Sequence, residues 1–200
     1  MKYYKLLNEH YGEVVKYDGE SYYTFKFGTE EWVPCSFNTN ESEEISETNA
    51  RIRLEYQREK LNRLLNLAIE IANNAHKDQL DKGGNPYILH PTAVAASVNG
   101  TEEKIVAYLH DVIEDTDITL EDLKNMGFTH SILVSLDKIT KRKGVSYDDY
   151  LAGIRDDKKA LDVKIADIKH NMDLSRIKNP TEKDFKRIEK YKKALAFLEW

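Results

Sequence analysis

Cysteine is nearly missing from this chain: Cys35 is the only one in 200 residues. A lone thiol excludes an internal disulfide and fits a reducing, cytoplasmic setting. Long apolar runs are missing too. None reaches the ~18 residues that a membrane-spanning helix needs. The N-terminus, Met-Lys-Tyr-Tyr-Lys, is polar where a secretory leader would be apolar. Positive charge is in deficit, 30 Lys and Arg against 35 Asp and Glu, for a net charge of -5. That balance argues against duplex nucleic acid or an anionic membrane as partner. A small phosphorylated ligand stays open, because a local pocket can be basic within an acidic protein. Hydrophobic residues at 40% and charged residues at 32% describe an ordinary soluble globular protein. The length suits one medium domain with a small addition.

What is present divides the chain. Residues 1–40 hold six of the twelve tyrosines (Tyr3, Tyr4, Tyr11, Tyr17, Tyr22 and Tyr23), with Phe25, Phe27 and Trp32. The runs "EVVKY" and "SYYTFKF", separated by Asp18-Gly19 and Gly28, predict a small antiparallel β meander. So short a segment needs support from the main body or from a second copy of the chain, as in a homo-oligomer. Residues 41–59 read as an acidic connector leading into a helix. From about residue 46 the pattern is helical, and 60–200 form the main, all-helical domain. "LNRLLNLAIEIANNAHK" places Leu61, Leu64, Leu65, Ala68, Ile71, Ala72 and Ala75 on one stripe. Pro91 opens the next helix and Gly100 closes it. Thr119 with Asp122 forms a capping box, and Gly127 stops that helix. "DVKIADIKHNMDL" is a further helix, and a last one follows Pro180, capped by Thr181.

Within the helical body, polar groups interrupt apolar stretches. "YLHDVIEDT" (108–116) sets His110, Asp111, Glu114 and Asp115 among Ile105, Val106, Ala107, Leu109, Val112 and Ile113, which read as one core helix. Carboxylates are rarely buried unless paired or metal-bound. On a helix, Glu114 shares a face with His110 and Asp111. His90 in "PYILHP" and Asp167 in "VKIADIKHN" are two further such places. Two imidazoles and two carboxylates (His90, His110, Asp111 and Asp167) make a mixed N/O set suited to Mn²⁺, Fe²⁺ or Zn²⁺. Four protein ligands leave positions open for water and substrate oxygens. Glu114 and Asp115 are then the adjacent acid/base pair. Each group alone has an ordinary reading: a His-Asp surface pair, a solvated helix end, a turn histidine, or Asp167 paired with Lys164. Their joint occurrence favours the metal set. His76 reads as a supporting or structural histidine, and His10 and His130 receive no role.

"AHKDQLDKGGNPYILHP", "YLHDVIEDT" and "KIADIKHNM" together resemble three ordered motifs of HD-superfamily metal-dependent phosphohydrolases. The likeness is to the hydrolase domain of RelA/SpoT homologues and to small alarmone (ppGpp) hydrolases, over roughly residues 60 to 175. The resemblance implies a mainly α, HD-type domain with His90, His110, Asp111 and Asp167 holding one Mn²⁺. It implies Glu114 and Asp115 as groups that position and activate the attacking water. Lys82, Asn171 and Lys141 fall where the family contacts nucleotide and phosphate. The implied reaction releases pyrophosphate from the ribose 3′ position of guanosine tetra- or pentaphosphate. The chain stops at Trp200, which leaves no room for the synthetase domain of long family members.

The chain departs from the family in charge. Asp81 and Asn85 replace an arginine and a glutamate, and Ile168 and Asp173 stand where arginines are common. The expectation is a pocket short of positive charge, with Asp81 repelling a polyphosphate unless it engages another group. Gly83-Gly84 beside Lys82 either offer N–H groups to a phosphate or simply form a turn. Two alternatives stand beside the alarmone reading. One is an HD phosphohydrolase of another nucleoside phosphate ester, and the other is a non-catalytic nucleotide-sensing module.

Overall fold

Alternating aromatic and β-branched residues need a partner strand on each side, and the N-terminal segment supplies its own. A computed structural model describes residues 1–6, 14–37, 40 and 42–200, so His10 and Tyr11 lie outside the described residues. The chain forms two compact units, Met1–Arg63 and Leu64–Trp200. In the first, β1 (Lys2–Leu6), β2 (Val14–Tyr17), β3 (Tyr22–Lys26), β4 (Glu31–Pro34) and β5 (Ser42–Ile45) pair in the order β4-β3-β2-β1-β5. Every pairing is antiparallel. Asp18 Oδ1 accepts from the Glu20 and Ser21 N–H groups at the β2–β3 turn, where Gly19 adopts φ 116°. That left-handed backbone is easy only for glycine. Tyr17 and Tyr22 stack across the strands with centroids 4.6 Å apart, and Phe25 meets Trp32 edge-on at 5.3 Å. Such cross-strand aromatic pairs hold register.

The meander is as expected, and the connector leads into a helix as expected but first adds a strand. Residues 42–45 form β5 along β1, and 47–59 already belong to α1 (Glu47–Ala75). The sequence "SEEI" has no strand signature of its own. Its strand is stabilised by what it faces, since Glu43 and Glu44 pair with Lys5 and Lys2 of β1.

Helix α1 begins in the first unit and ends in the second, where Leu64, Ala68, Ile71 and Ala72 are buried. The second unit continues with α2 (Leu89–Ala96), α3 (Thr101–Leu109), α4 (Val112–Asp115), α5 (Leu120–Asn125) and α6 (His130–Ile139). It ends with α7 (Tyr147–Arg155), α8 (Lys158–Met172), a 3-10 turn (Leu174–Arg176) and α9 (Glu182–Leu198). Helix α8 is the axis: it packs against α2, α3, α6, α7 and α9. Its buried side includes Ala160, Val163 and Ile168, against a core with Val94, Ile105, Leu109, Ile132, Leu136 and Ile154. The capping boxes Thr119/Asp122 and Thr181/Asp184 both form, and Gly127 follows α5 with φ 94°.

Two expectations change. Gly100 does not close α2, which ends at Ala96; it is the N-cap of α3. A Cβ there would lie 1.8 Å from the Glu103 carboxylate, so glycine leaves space for that side chain over the helix start. The core helix of residues 105–115 is interrupted. The ladder stops at Leu109 and restarts at Val112, leaving His110 and Asp111 in the joint.

Candidate metal centre

The interruption matters because neighbouring residues on a regular helix do not face one another. At the joint, His110 Nε2 and Asp111 Oδ2 come within 3.2 Å. His90, in the first turn of α2, brings its Nε2 to 3.4 Å from Asp111 Oδ2 and 3.2 Å from Asp167 Oδ1. Asp167 reaches in from α8, 3.9 Å from His110 Nε2. One donor atom each from His90, His110 and Asp167 lie within 4.8 Å of one another, and all three residues are buried. Asp111 completes the cluster through its closeness to both imidazoles. The sequence-predicted quartet thus converges from α2, the α3–α4 joint and α8.

Each side chain is held from behind. His110 Nδ1 lies 2.7 Å from the Ala107 carbonyl, which can only accept, so the proton sits on Nδ1. Its Nε2 is buried and makes no hydrogen bond. Leaving such an atom unmatched is costly, and a cation is the partner this nitrogen suits. Tyr87 donates its hydroxyl to Asp111 Oδ2 at 2.7 Å. Asn171 donates to Asp167 Oδ1 at 2.5 Å and Lys164 to Asp167 Oδ2 at 2.8 Å. The ordinary reading of Asp167 as a lysine partner therefore coexists with its place in the cluster.

The electrostatics favour a cation. Burial opposes ionisation of Asp167, but Lys164 and the two imidazoles outweigh it and hold the carboxyl well below its usual range. Burial likewise opposes a charge on His110, yet Asp111 and Asp167 push its imidazole up to about 9. These anions favour a positive charge beside Nε2: a proton in the metal-free protein, and a cation in that proton's place. Two imidazoles and two carboxylates are a donor set that a first-row divalent ion accepts, so the residues present fit a metal.

The remaining predicted residues separate. Glu114 is exposed, and its Oε1 accepts the Lys141 backbone N–H at 2.6 Å, which joins α4 to the chain after α6. Asp115 is exposed as well but lies within the field of the centre: partial desolvation and then Asp111 raise its carboxyl above the usual range. Asn171 touches the centre through Asp167. Lys82 donates to Asp184 of α9 at 2.9 Å. His76 is buried after α1, with Nδ1 2.6 Å from Gln79 Oε1 and its ring 5.0 Å from that of Tyr87.

Asp81 takes the second of its two expected courses and engages another group. Asp81 is paired: its Oδ2 accepts from Arg176 Nη2 at 2.8 Å, and its Oδ1 takes the Gly83 and Asn85 N–H groups at 2.9 Å each. The Gly84 N–H goes to the Asp81 carbonyl at 3.0 Å, so Gly83-Gly84 form a turn with both N–H groups engaged. Ile168 is fully buried, which takes position 168 out of any pocket. Burying such a side chain contributes about 2 kcal/mol. Asp173 caps the 3-10 turn through the Ser175 N–H. Tyr87 and Arg176 escaped the sequence reading. Tyr87 had a signal, three residues before His90 in the same motif; Arg176 had none.

No protein-family model matches the chain. It is 33% identical over 115 residues to a probable guanosine-3′,5′-bis(diphosphate) 3′-pyrophosphohydrolase of Synechocystis, covering 50% of this chain and 15% of that protein. It is 31% identical over 143 residues to a probable GTP pyrophosphokinase of Mycobacterium leprae, covering 66% and 18%. The Haemophilus influenzae guanosine-3′,5′-bis(diphosphate) 3′-pyrophosphohydrolase is 37% identical over 118 residues, covering 51% and 17%. The chain thus spans less than a fifth of the length of these curated relatives. Among solved structures, a metazoan ortholog of SpoT that hydrolyzes ppGpp superposes with a TM-score of 0.57 at 21% identity, covering 68% of this chain and 84% of that one. The fold is accordingly the mainly α fold of HD type, preceded by a β meander. More narrowly, the helical unit is similar in sequence to part of proteins named as guanosine-3′,5′-bis(diphosphate) 3′-pyrophosphohydrolases.

Proposed function

We propose that this chain is a Mn²⁺-dependent phosphohydrolase that removes pyrophosphate from the 3′ position of a guanosine 3′,5′-bis(diphosphate). One observation carries the reading: two buried imidazoles and two aspartates converge, with an unmatched His110 Nε2 aimed into the cluster. The relatives named as 3′-pyrophosphohydrolases support the substrate class. His90, His110, Asp111 and Asp167 would hold the ion. When bound, it supplies Lewis acidity, lowering the pKa of water and neutralising phosphoryl charge.

The chain's own residues supply the rest. Asp115, beside Asp111 and outside the ligand quartet, accepts the proton from the attacking water. A positioned carboxylate of this kind contributes ~10²–10⁴-fold to rate. Glu114 fixes the rim through the Lys141 N–H, so that Asp115 is presented at a constant angle. Asn171 holds Asp167 Oδ1 and orients that carboxylate. Lys82 and Lys141 approach the substrate's phosphate from outside. For Lys82 the Asp184 pair sets the resting position, and its side chain is 58% exposed and able to swing.

A second reading keeps the chemistry and changes the nucleoside phosphate. It is favoured by Asp81, whose carboxylate and its arginine partner occupy each other where the family presents a free guanidinium. The discriminating experiment is a nucleotide panel with Mn²⁺, followed for pyrophosphate and orthophosphate. Pyrophosphate released from a 3′-diphosphate supports the first reading. Orthophosphate from a monophosphate ester supports the second, and no turnover on any substrate sinks both.

A further inference from the structure

His110 has its proton fixed by a carbonyl, but His90 has no carbonyl behind it. Its Nδ1 lies 2.7 Å from the Nδ1 of His170. Two imidazole nitrogens at that distance share one proton, and geometry alone does not say whose it is. Arg176 decides. Its Nη1 lies 2.8 Å from the same His170 Nδ1, and a guanidinium only donates. His170 Nδ1 therefore accepts, and an accepting nitrogen cannot also donate to His90. The shared proton belongs to His90 Nδ1. A neutral His90 then carries its lone pair on Nε2, the atom facing Asp167 Oδ1 at 3.2 Å and Asp111 Oδ2 at 3.4 Å.

Arg176 is itself held. Its Nη2 donates to Asp81 Oδ2 at 2.8 Å, and the Asp81 side chain is only 8% exposed. The loop that presents Asp81 packs hard on Arg176: a Cβ at Gly83 would lie 2.2 Å from the Arg176 carbonyl oxygen. The order is Asp81, Arg176, His170, His90, each member fixing the donor or acceptor role of the next.

We propose that Asp81, Arg176 and His170 are positioning residues that preset His90 for a metal, with its proton on Nδ1 and Nε2 free to ligate. This deepens the reading above and rests on His90 being a ligand. It also gives Asp81 a purpose: the acid that replaces the family's arginine anchors a different arginine, which works on the centre instead of on solvent. Partners that orient a ligating histidine typically change metal affinity by ~10–100-fold when removed.

The test is calorimetric titration of Mn²⁺ into metal-free wild type, His170→Phe, Arg176→Met, Arg176→Lys and Asp81→Asn, with thermal melting to confirm folding. Wild type should take up one ion. His170→Phe and Arg176→Met should bind it ~10–100-fold more weakly, and Arg176→Lys, which keeps a donor, should recover most of the loss. Visible absorption of the Co²⁺-loaded proteins should shift in the two weak binders and return in Arg176→Lys, a pattern that a general loosening of the fold does not give. If His170→Phe does not fold, the milder Asp81→Asn reports on the same chain of contacts. In Zn²⁺-loaded wild type, nitrogen NMR should find the His90 proton on Nδ1; a proton on Nε2 overturns the relay. Unchanged Mn²⁺ affinity in folded Arg176→Met and Asp81→Asn also overturns it, and leaves the metal centre standing. A wild-type chain that binds no Mn²⁺ overturns the centre and the relay together.

Discussion

Lys164 Nζ donates to Asp167 Oδ2 at 2.8 Å while Asp167 Oδ1 faces His90 Nε2 at 3.2 Å. One buried carboxylate therefore answers a lysine on one side and the centre on the other. Lys164→Met leaves that charge without its nearest cation. Removing one member of a buried pair costs ~3–5 kcal/mol, and the metal-free protein should lose about that much. Bound Mn²⁺ supplies a replacement cation, so the loss should be markedly smaller in its presence. Denaturant unfolding with and without Mn²⁺ measures both. Equal losses in the two conditions would separate Asp167 from the metal.

Asp111 stands at the helix joint with the Tyr87 hydroxyl on its Oδ2. Asp111→Ala should abolish metal uptake, taking elemental analysis from about one transition ion per chain to none, as expected when a catalytic site loses one of its few ligands. Tyr87→Phe removes only the orienting hydrogen bond, of about 1 kcal/mol, and should weaken uptake without abolishing it. A folded Asp111→Ala protein that keeps its ion refutes the ligand assignment.

Glu114 and Asp115 are adjacent but differently placed. Asp115→Asn should keep the metal and lower kcat by ~10²-fold or more, the range for a general base. Glu114→Gln keeps an acceptor for the Lys141 N–H and should also keep the metal. Its turnover should stay near wild type, whereas Glu114→Ala, which removes that acceptor, should lower kcat more than it raises KM. Full activity in Asp115→Asn or in Glu114→Ala removes that residue from the mechanism.

Acid sensitivity follows from Asp184. The Thr181 backbone N–H and then the Lys82 ammonium hold its carboxyl well below the ordinary 3.8. A carboxylate with a depressed folded-state pKa contributes stability that is complete above its unfolded pKa. That stability drains as pH falls through the folded value. Asp184→Asn should thus be less stable than wild type near neutrality, and the gap should shrink as pH drops below 3.8. Urea midpoints across pH measure it. A constant gap would mean that the Asp184 charge plays no part.

How far the sequence reached depended on whether a residue's partner was close in the chain. Tyr17, Tyr22, Phe25 and Trp32 alternate around glycine turns, so the meander was visible. His110 and Asp111 in an apolar run announced buried polar chemistry, and His90 and Asp167 were the natural complements. Strand β5 stayed hidden because Glu43 and Glu44 find their lysines 38 and more residues away. Arg176 stayed hidden for the same reason, since its carboxylate is 95 positions upstream and its imidazole contact reveals itself only in three dimensions. The helix joint at 110–111 carries no proline or glycine to mark it.

The Asp81–Arg176 contact has an evolutionary corollary. An arginine at 81 would set two guanidiniums against each other in a half-enclosed place, so changing that position alone breaks the pair. Among homologues the two positions should drift in concert, keeping opposite charges or losing both.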